Sequence, residues 1–207
     1  MMKTLAILGA SGHGHVVADT ALSCGWDEVV FFDDALSEIT RNRFVQVRGN
    51  SYDLIADADN FQGVAVAVGD NEARLKKIRS FLEAGLHLPA LIHGRAYVAL
   101  DTTVASGCVV FAGAVIQPGS SLGTGCIVNT GASIDHDCRI GDCVHLSPGV
   151  RLAGSVEIGD GAWIGVGASV SQNVTIGQNA VVGAGATVIE CVADCITVVG
   201  NPARSIS

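Results

Sequence analysis

From Val98 onward every sixth residue is aliphatic without a break: Val98, Val104, Val110, Ile116, Leu122, Val128, Ile134, Ile140, Leu146, Leu152, Ile158, Ile164, Val170, Ile176, Val182 and Val188. The residue four places after each is small or β-branched, as at Cys108, Ala114, Ser120, Cys126, Ala132 and Val144, and Gly or Asn recurs in between. A six-residue period is too short for a helical repeat, and one such unit cannot bury its own apolar face. The pattern predicts short strands with one inward aliphatic each, three to an 18-residue coil. Stacked coils pair their backbones along the axis. A triangular prism of slightly more than five coils follows.

The first half is patterned differently. Residues 3–8 are an apolar strand, followed by the turn Gly9-Ala10-Ser11-Gly12-His13-Gly14-His15 and the helical spacing of Val16, Val17, Thr20, Ala21 and Cys24. Residues 29–32 form a second strand that ends at Asp33 and Asp34. Residues 64–68 form a third, ending at Gly69, Asp70 and Asn71, and residues 72–84 a helix. Strand, glycine turn and helix in that order predict a small parallel α/β unit with its ligand crevice at the carboxyl ends of the strands. The chain therefore divides into an α/β domain, residues 1–95, and a β-helix domain with a C-terminal cap, residues 96–207.

Composition narrows the partners. Formal net charge is −8; up to residue 96 there are 9 basic and 12 acidic residues, and beyond it 3 and 8. Neither half has the clustered Lys and Arg that displace counterions from nucleic acid, so no nucleic-acid partner is expected. An anionic ligand would be held mainly by backbone N–H groups. The seven cysteines are odd in number and lack CxxC or zinc spacing, which reads as reduced thiols. The opening apolar stretch is too short for an export signal. The window 181–200 carries Glu190 and Asp194, so it is not a membrane span. A cytoplasmic chain with no membrane partner is expected.

The glycines of the first turn let backbone N–H groups and a helix N-terminus approach a phosphate, or simply permit a tight turn. The spacing is not the dinucleotide G-x-G-x-x-G, and a half-unit of this size suits a mononucleotide-linked ligand. Asp33 and Asp34 are placed to meet a ribose or base, or to be a solvated strand end. In the repeat region only His136 and His145 are histidines. An imidazole is the best side-chain base for taking a proton from an amine or hydroxyl, and Asp135 and Asp137 flank His136. Gly154 follows His136 by one coil, so its N–H stacks on the base. His145 lies half a coil from His136, roughly 15 Å along the strand direction, too far for contact within one prism. Flat faces with few charges favour closed self-association, and the two histidines could approach across such an interface.

The unbroken hexapeptide repeat, the segment Asn129-Thr130-Gly131-Ala132-Ser133-Ile134-Asp135-His136-Asp137-Cys138 and the closing Val199-Gly200-Asn201-Pro202-Ala203-Arg204 resemble the hexapeptide acyltransferases with a left-handed parallel β-helix. With its Gly-rich first unit, the chain is similar to the sugar acetyltransferases of the bacillosamine, perosamine and sialic-acid pathways. The resemblance implies a homotrimer that uses acetyl-CoA as co-substrate, without a metal. It implies an N-acetyltransferase acting on a nucleotide-linked 4-amino-4,6-dideoxy sugar, UDP-linked by preference, with sialic-acid or other sugar O-acetylation as the alternative. His136 would be the base, supported by Asp137, and Gly154 N–H the oxyanion donor. His145, Ala184, Gly200, Asn201 and Pro202 would meet the coenzyme. Gly12, His13, Gly14, Asp33, Asp34, Gly69 and Asn71 would meet the nucleotide sugar, with the histidine of the turn facing the diphosphate. Many relatives carry Lys where His15 stands. A zinc-dependent β-helix hydratase would need three converging histidines, one more than the repeat region holds.

Overall fold

The computed structural model describes residues 2–35 and 46–206. In the first unit, strand β1 (Thr4–Leu8) lies between β2 (Glu28–Phe32) and β4 (Gly63–Val66), with β3 (Val47–Gly49) outside β2, and all pairings are parallel. Leu5, Ala6, Ile7 and Leu8 are buried, as are Val64, Ala65 and Val66. A strand covered on both faces needs apolar residues at consecutive positions, which is why these read as unbroken apolar runs. Helices α1 (Gly12–Ser23), α2 (Ser51–Ala56) and α3 (Asn71–Glu83) complete the unit. The strand β3 and helix α2 were not anticipated, because three and six residues are too few to show a period. A local start signal for α2 does exist: Asn50 and Asp53 form a reciprocal capping box.

The second unit runs from β5 (Leu91–Ile92) to β23 (Arg204–Ser205). From β6 (Tyr97–Val98) to β21 (Thr187–Val188) each strand is two residues long, and its second residue is the aliphatic of the six-residue repeat. The strands form three sheets of five, eight and six members, all parallel except for the final β22 (Thr197–Val199) and β23 pair. Partners across a sheet are 18 residues apart, as in Ile127, His145 and Trp163. The result is a left-handed parallel β-helix. Its axial core holds both repeat positions, with Cys108, Val110, Ala114, Ile116, Cys126 and Val128 all buried. The strand β5 already pairs with β8 (Val109–Val110), so the first coil begins at Leu91, inside the span expected for the α/β domain.

The units share a core. Val17 and Ala21 of α1 cluster with Leu91, Val109, Phe111 and Ile127 of the prism, while Ile78 of α3 clusters with Leu88 and Cys143. Burial of these side chains at roughly 1.5 to 3 kcal/mol each fixes the α/β unit against the eight-stranded face. That docking sets where the carboxyl ends of β1, β2 and β4 lie relative to His145.

Candidate active site

The carboxyl ends of β1, β2 and β4 open into a crevice of about 340 Å³ lined by Leu8, Gly9, Ser11, Asp33, Asp34, Ala67, Val68, Gly69, Ala73 and Lys77. The Gly-rich turn is held from beneath. Gly9 N–H donates to Phe32 O at 2.7 Å and Ala10 N–H to Asp33 Oδ2 at 2.7 Å. Helix α1 then starts with no side-chain cap on its first turn, whereas α2 and α3 are capped by Asn50 and Asp70. Its first-turn N–H groups have no partner within the helix and carry the positive end of the helix dipole. Gly12 is open, with nothing within 4 Å of a would-be Cβ. Gly14 is different, because a Cβ there would lie 2.0 Å from the carbonyl oxygen of Gly9. Gly14 is a close-approach glycine that lets the helix sit on the turn.

Two expectations for this region change. The histidine of the turn, His13, does not line the crevice. Its ring lies edge-on to Phe111 of the prism, 5.7 Å between centroids. Burial first, and then the Arg74 charge, lower its pKa to about 4, so it is neutral at physiological pH. Asn71 is also absent from the lining. Its Nδ2 donates to Gly161 O at 2.8 Å and Ala162 O at 3.2 Å, and its Oδ1 accepts from Arg74. The amide is occupied by the domain interface. Beside the backbone donors expected to hold most of an anionic ligand, the crevice also contains a cation. Lys77 Nζ lies 2.6 Å from Asp34 Oδ2 and 3.0 Å from Ser51 Oγ. Burial alone would push the Asp34 carboxyl up, but hydrogen bonds from Lys77 and the Ser51 N–H outweigh it and hold the pKa below the usual range. Lys77 sits 43 residues from Asp34, so only the folded sheet brings them together.

On the prism, His136 occupies an exposed corner after β12 (Ser133–Ile134). Asp137 has φ +60°, a left-handed conformation that Asp tolerates and that turns its carboxylate back toward the preceding ring. His136 Nδ1 donates to Asp137 Oδ2 at 2.9 Å, leaving Nε2 as the free nitrogen. The hydrogen bond donated to Asp137 comes first among the causes that raise the His136 pKa, with the Asp135 charge adding to it. Gly154 lies against the ring. A Cβ there would come 2.5 Å from Cε1 and 2.6 Å from Nε2. Its carbonyl accepts from Asn173 N–H, and its own N–H donates to no acceptor among the described residues. The sequence spacing thus brought His136, Asp137 and Gly154 together at one corner, as the structure places them.

His145, on β14 (His145–Leu146), faces the other domain. It stacks on Trp163 of β17 (Trp163–Ile164) with planes 2° apart and centroids 5.6 Å apart, and its Nε2 is 3.4 Å from Asn129 Nδ2. Trp163 Nε1 donates to Ser147 Oγ at 2.9 Å, which fixes the indole. Burial, then Arg74 and His13, lower the His145 pKa to about 4. Among the described residues no contact joins His136 to His145. Trp163 follows His145 by one coil, so the repeat arithmetic alone could have singled it out. In the turn that follows β17 stands exposed Val166, with exposed Ala184 one coil farther on and then the Gly200-Asn201-Pro202 loop. Gly200 O accepts from Thr187 N–H at 3.0 Å, tying that loop to the last full coil.

A carboxylate-supported imidazole on a hexapeptide prism, joined to an α/β unit with an uncapped Gly-rich helix start, defines a two-domain hexapeptide acyltransferase. Residues 4–81 match the PglD N-terminal domain and residues 155–190 the six-repeat bacterial transferase hexapeptide. The acetyltransferase domain of PglB from Neisseria gonorrhoeae, solved with acetyl coenzyme A, is 39% identical over 100% of both chains, with a TM-score of 0.92. PerB from Caulobacter crescentus, solved with CoA and GDP-perosamine, is 35% identical over 100% of this chain and 99% of that one, with a TM-score of 0.93. WeeI from Acinetobacter baumannii is 27% identical over 99% of this chain and 100% of that one, with a TM-score of 0.86. The chain belongs to the acetyl-CoA-dependent sugar N-acetyltransferase family that PglB and PerB represent. No helix among the described residues is long and apolar enough to cross a membrane.

Proposed function

We propose that this protein transfers the acetyl group of acetyl-CoA to the amine of a UDP-linked 4-amino-4,6-dideoxy sugar, in a ternary complex and without a covalent enzyme intermediate. The observation that carries the reading is the His136–Asp137 pair, whose geometry leaves Nε2 open beside Gly154. The sugar amine attacks the thioester carbonyl as its proton passes to His136 Nε2. The C–N bond forms and the C–S bond breaks, and the departing CoA thiolate takes up a proton. Asp137 holds the imidazole in the Nδ1–H tautomer and stabilises the imidazolium. Gly154 N–H donates to the carbonyl oxygen as it becomes an oxyanion.

The crevice beside Gly9, Gly12, Asp33, Asp34 and Gly69 suits the nucleotide, with the α1 N-terminus and Lys77 supplying positive potential for a diphosphate. The corner from His145 to the Gly200-Asn201-Pro202 loop suits the coenzyme. Three coil spacings of about 4.8 Å give an extended track roughly 14 Å long. A trimer supports both assignments. His136 and His145 do not meet within one chain, and an open hollow of about 410 Å³ lies on the sheet face beside Asp135, lined by Ser133, Arg151, Ala153, Ser169 and Gln172. A neighbouring prism would cover it and bring a second corner to the base. Acetyl-CoA and nucleotide sugars are both cytoplasmic metabolites, which favours a cytoplasmic enzyme.

The test is CoA thiol release with UDP-, GDP- and dTDP-linked 4-amino-4,6-dideoxy sugars. Turnover with the UDP sugar is expected to dominate. Preference for the GDP sugar would overturn the nucleotide assignment. Inactivity on all three with activity on free sialic acid would overturn the N-acetyltransferase reading. Sedimentation of a fully active monomer would contradict the shared site.

A further inference from the structure

Arg74 is the largest fully buried side chain among the described residues and is 1% exposed. It projects from α3 into the corner of the prism, where no carboxylate meets it. Nε donates to Gly125 O at 2.8 Å and Nη2 to Cys143 O at 2.8 Å. Nη1 donates to Val68 O at 3.0 Å and Gly69 O at 3.1 Å, and Nη2 also to Asn71 Oδ1 at 2.8 Å. Asn71, three residues earlier on the same helix, donates to Gly161 O at 2.8 Å. Gly125, Cys143 and Gly161 are spaced by 18 residues, so the two side chains bind the same corner carbonyl of three successive coils. Each corner lies two residues before a strand of the eight-stranded face, and those strands begin with Ile127, His145 and Trp163.

A buried guanidinium satisfied only by carbonyls is a costly way to join two domains, because apolar packing joins them without desolvating a charge. What the carbonyl bonds supply is geometric definition. We propose that Arg74 is a positioning residue for acetyl transfer, locking the end of β4, which walls the nucleotide crevice at Gly69, to the coil that presents His145 and Trp163. The inference rests on the functional reading above and deepens it: the nucleotide sugar and the acetyl end of the coenzyme are held in register through one side chain that touches neither. The guanidinium also shapes the charge state nearby. It helps keep His13 and His145 neutral, and Asp70, Cys108, Cys126 and Cys143 are the other titratable groups around it among the described residues. His145 Nδ1 is buried without a partner, so no carboxylate offsets the guanidinium there.

The test compares Arg74→Lys, which keeps the charge but not the fork of donors, with Arg74→Met, which removes both. Folding is checked by circular dichroism and thermal unfolding. In folded Arg74→Lys, CoA and UDP titrated separately are expected to bind within about threefold of wild type, while kcat falls about 10- to 100-fold, the range for a misplaced reacting pair. In Arg74→Met, the His145 pKa read by NMR is expected to rise above about 4 but stay below the ordinary histidine value, because burial, the larger cause of its depression, remains. Unchanged kcat in folded Arg74→Lys would overturn the proposal, and so would a kcat loss matched by an equal loss of UDP or CoA binding. If Arg74→Met does not fold, Arg74→Lys carries the test together with Asn71→Ala, for which a smaller kcat loss of the same kind is expected. If the wild type acetylates no nucleotide sugar, the functional reading fails separately. The His145 resonance then decides the placement, since its shift and pKa must respond to substitution at Arg74.

Discussion

The two repeat-region histidines occupy opposite environments on one scaffold. His136 stands in solvent at a corner, hydrogen-bonded to Asp137, and its pKa is raised. His145 is enclosed between the prism and α1, stacked on Trp163 beside a buried arginine, and its pKa is lowered to about 4. The same side chain is thus made easier to protonate in one place and kept neutral down to a pH near 4 in the other. Pairs of titratable groups driven apart by their surroundings mark the division of labour in an active site. Here the division also follows the fold, because a corner of the coil is exposed and a strand face is covered by the α/β unit.

The largest expected effect breaks that comparison on its exposed side. Replacing the proposed base, His136→Ala, should lower kcat about 10² to 10⁴-fold, with nucleotide-sugar affinity little changed, as measured by steady-state kinetics and calorimetry. Wild-type turnover would remove His136 from the chemistry. Gly154→Ala probes the same corner without touching a titratable group. The added methyl would displace an exposed ring rather than fixed backbone, so stability should hold while kcat drops about 10- to 100-fold. A mutant that keeps full kcat would mean that the ring need not lie against Gly154.

Smaller effects sharpen the contrast between the prism and the crevice. Asp33→Ala with Asp34→Ala should raise KM for the sugar nucleotide about tenfold and leave acetyl-CoA binding intact. The carboxylates are only partly buried, which limits the loss. A parallel loss of acetyl-CoA binding would show that the two halves are not separable in this way. Asp137→Asn keeps a residue that tolerates the left-handed backbone but removes the charge behind the base. The acid limb of kcat should move to lower pH, because the His136 pKa falls once its strongest support is gone, and kcat on the plateau should drop modestly. An unshifted limb would assign the pH dependence to another group.

Legibility in the sequence followed the same division. The prism was readable strand by strand, because one aliphatic per six residues is imposed by the coil itself; His136 stood out as one of two histidines in the repeat, Asp137 as its neighbour, and Gly154 by counting one coil of 18 residues from it. The parallel strands of the α/β unit were also readable, since double-sided burial leaves unbroken apolar runs. What the sequence did not reveal depends on contacts between units. The family resemblance implied that His13 faces the diphosphate, yet docking of α1 on Phe111 covers its ring. Asn71 looked like a crevice residue from its place after β4, yet its amide binds corner carbonyls about 90 residues away in sequence. Lys77 and Arg74 share one helix and are separated by less than a turn. One lines the crevice and the other enters the prism, a difference that no local pattern encodes.

The most direct measurement is an NMR titration of the histidine ring resonances in the wild-type protein, assigned with His136→Ala and His145→Gln. The account predicts that His136 titrates above the ordinary value of about 6.5 and His145 well below it, near 4. Coincident titrations near 6.5, or the reverse order, would contradict the claim that the fold assigns these two imidazoles opposite roles.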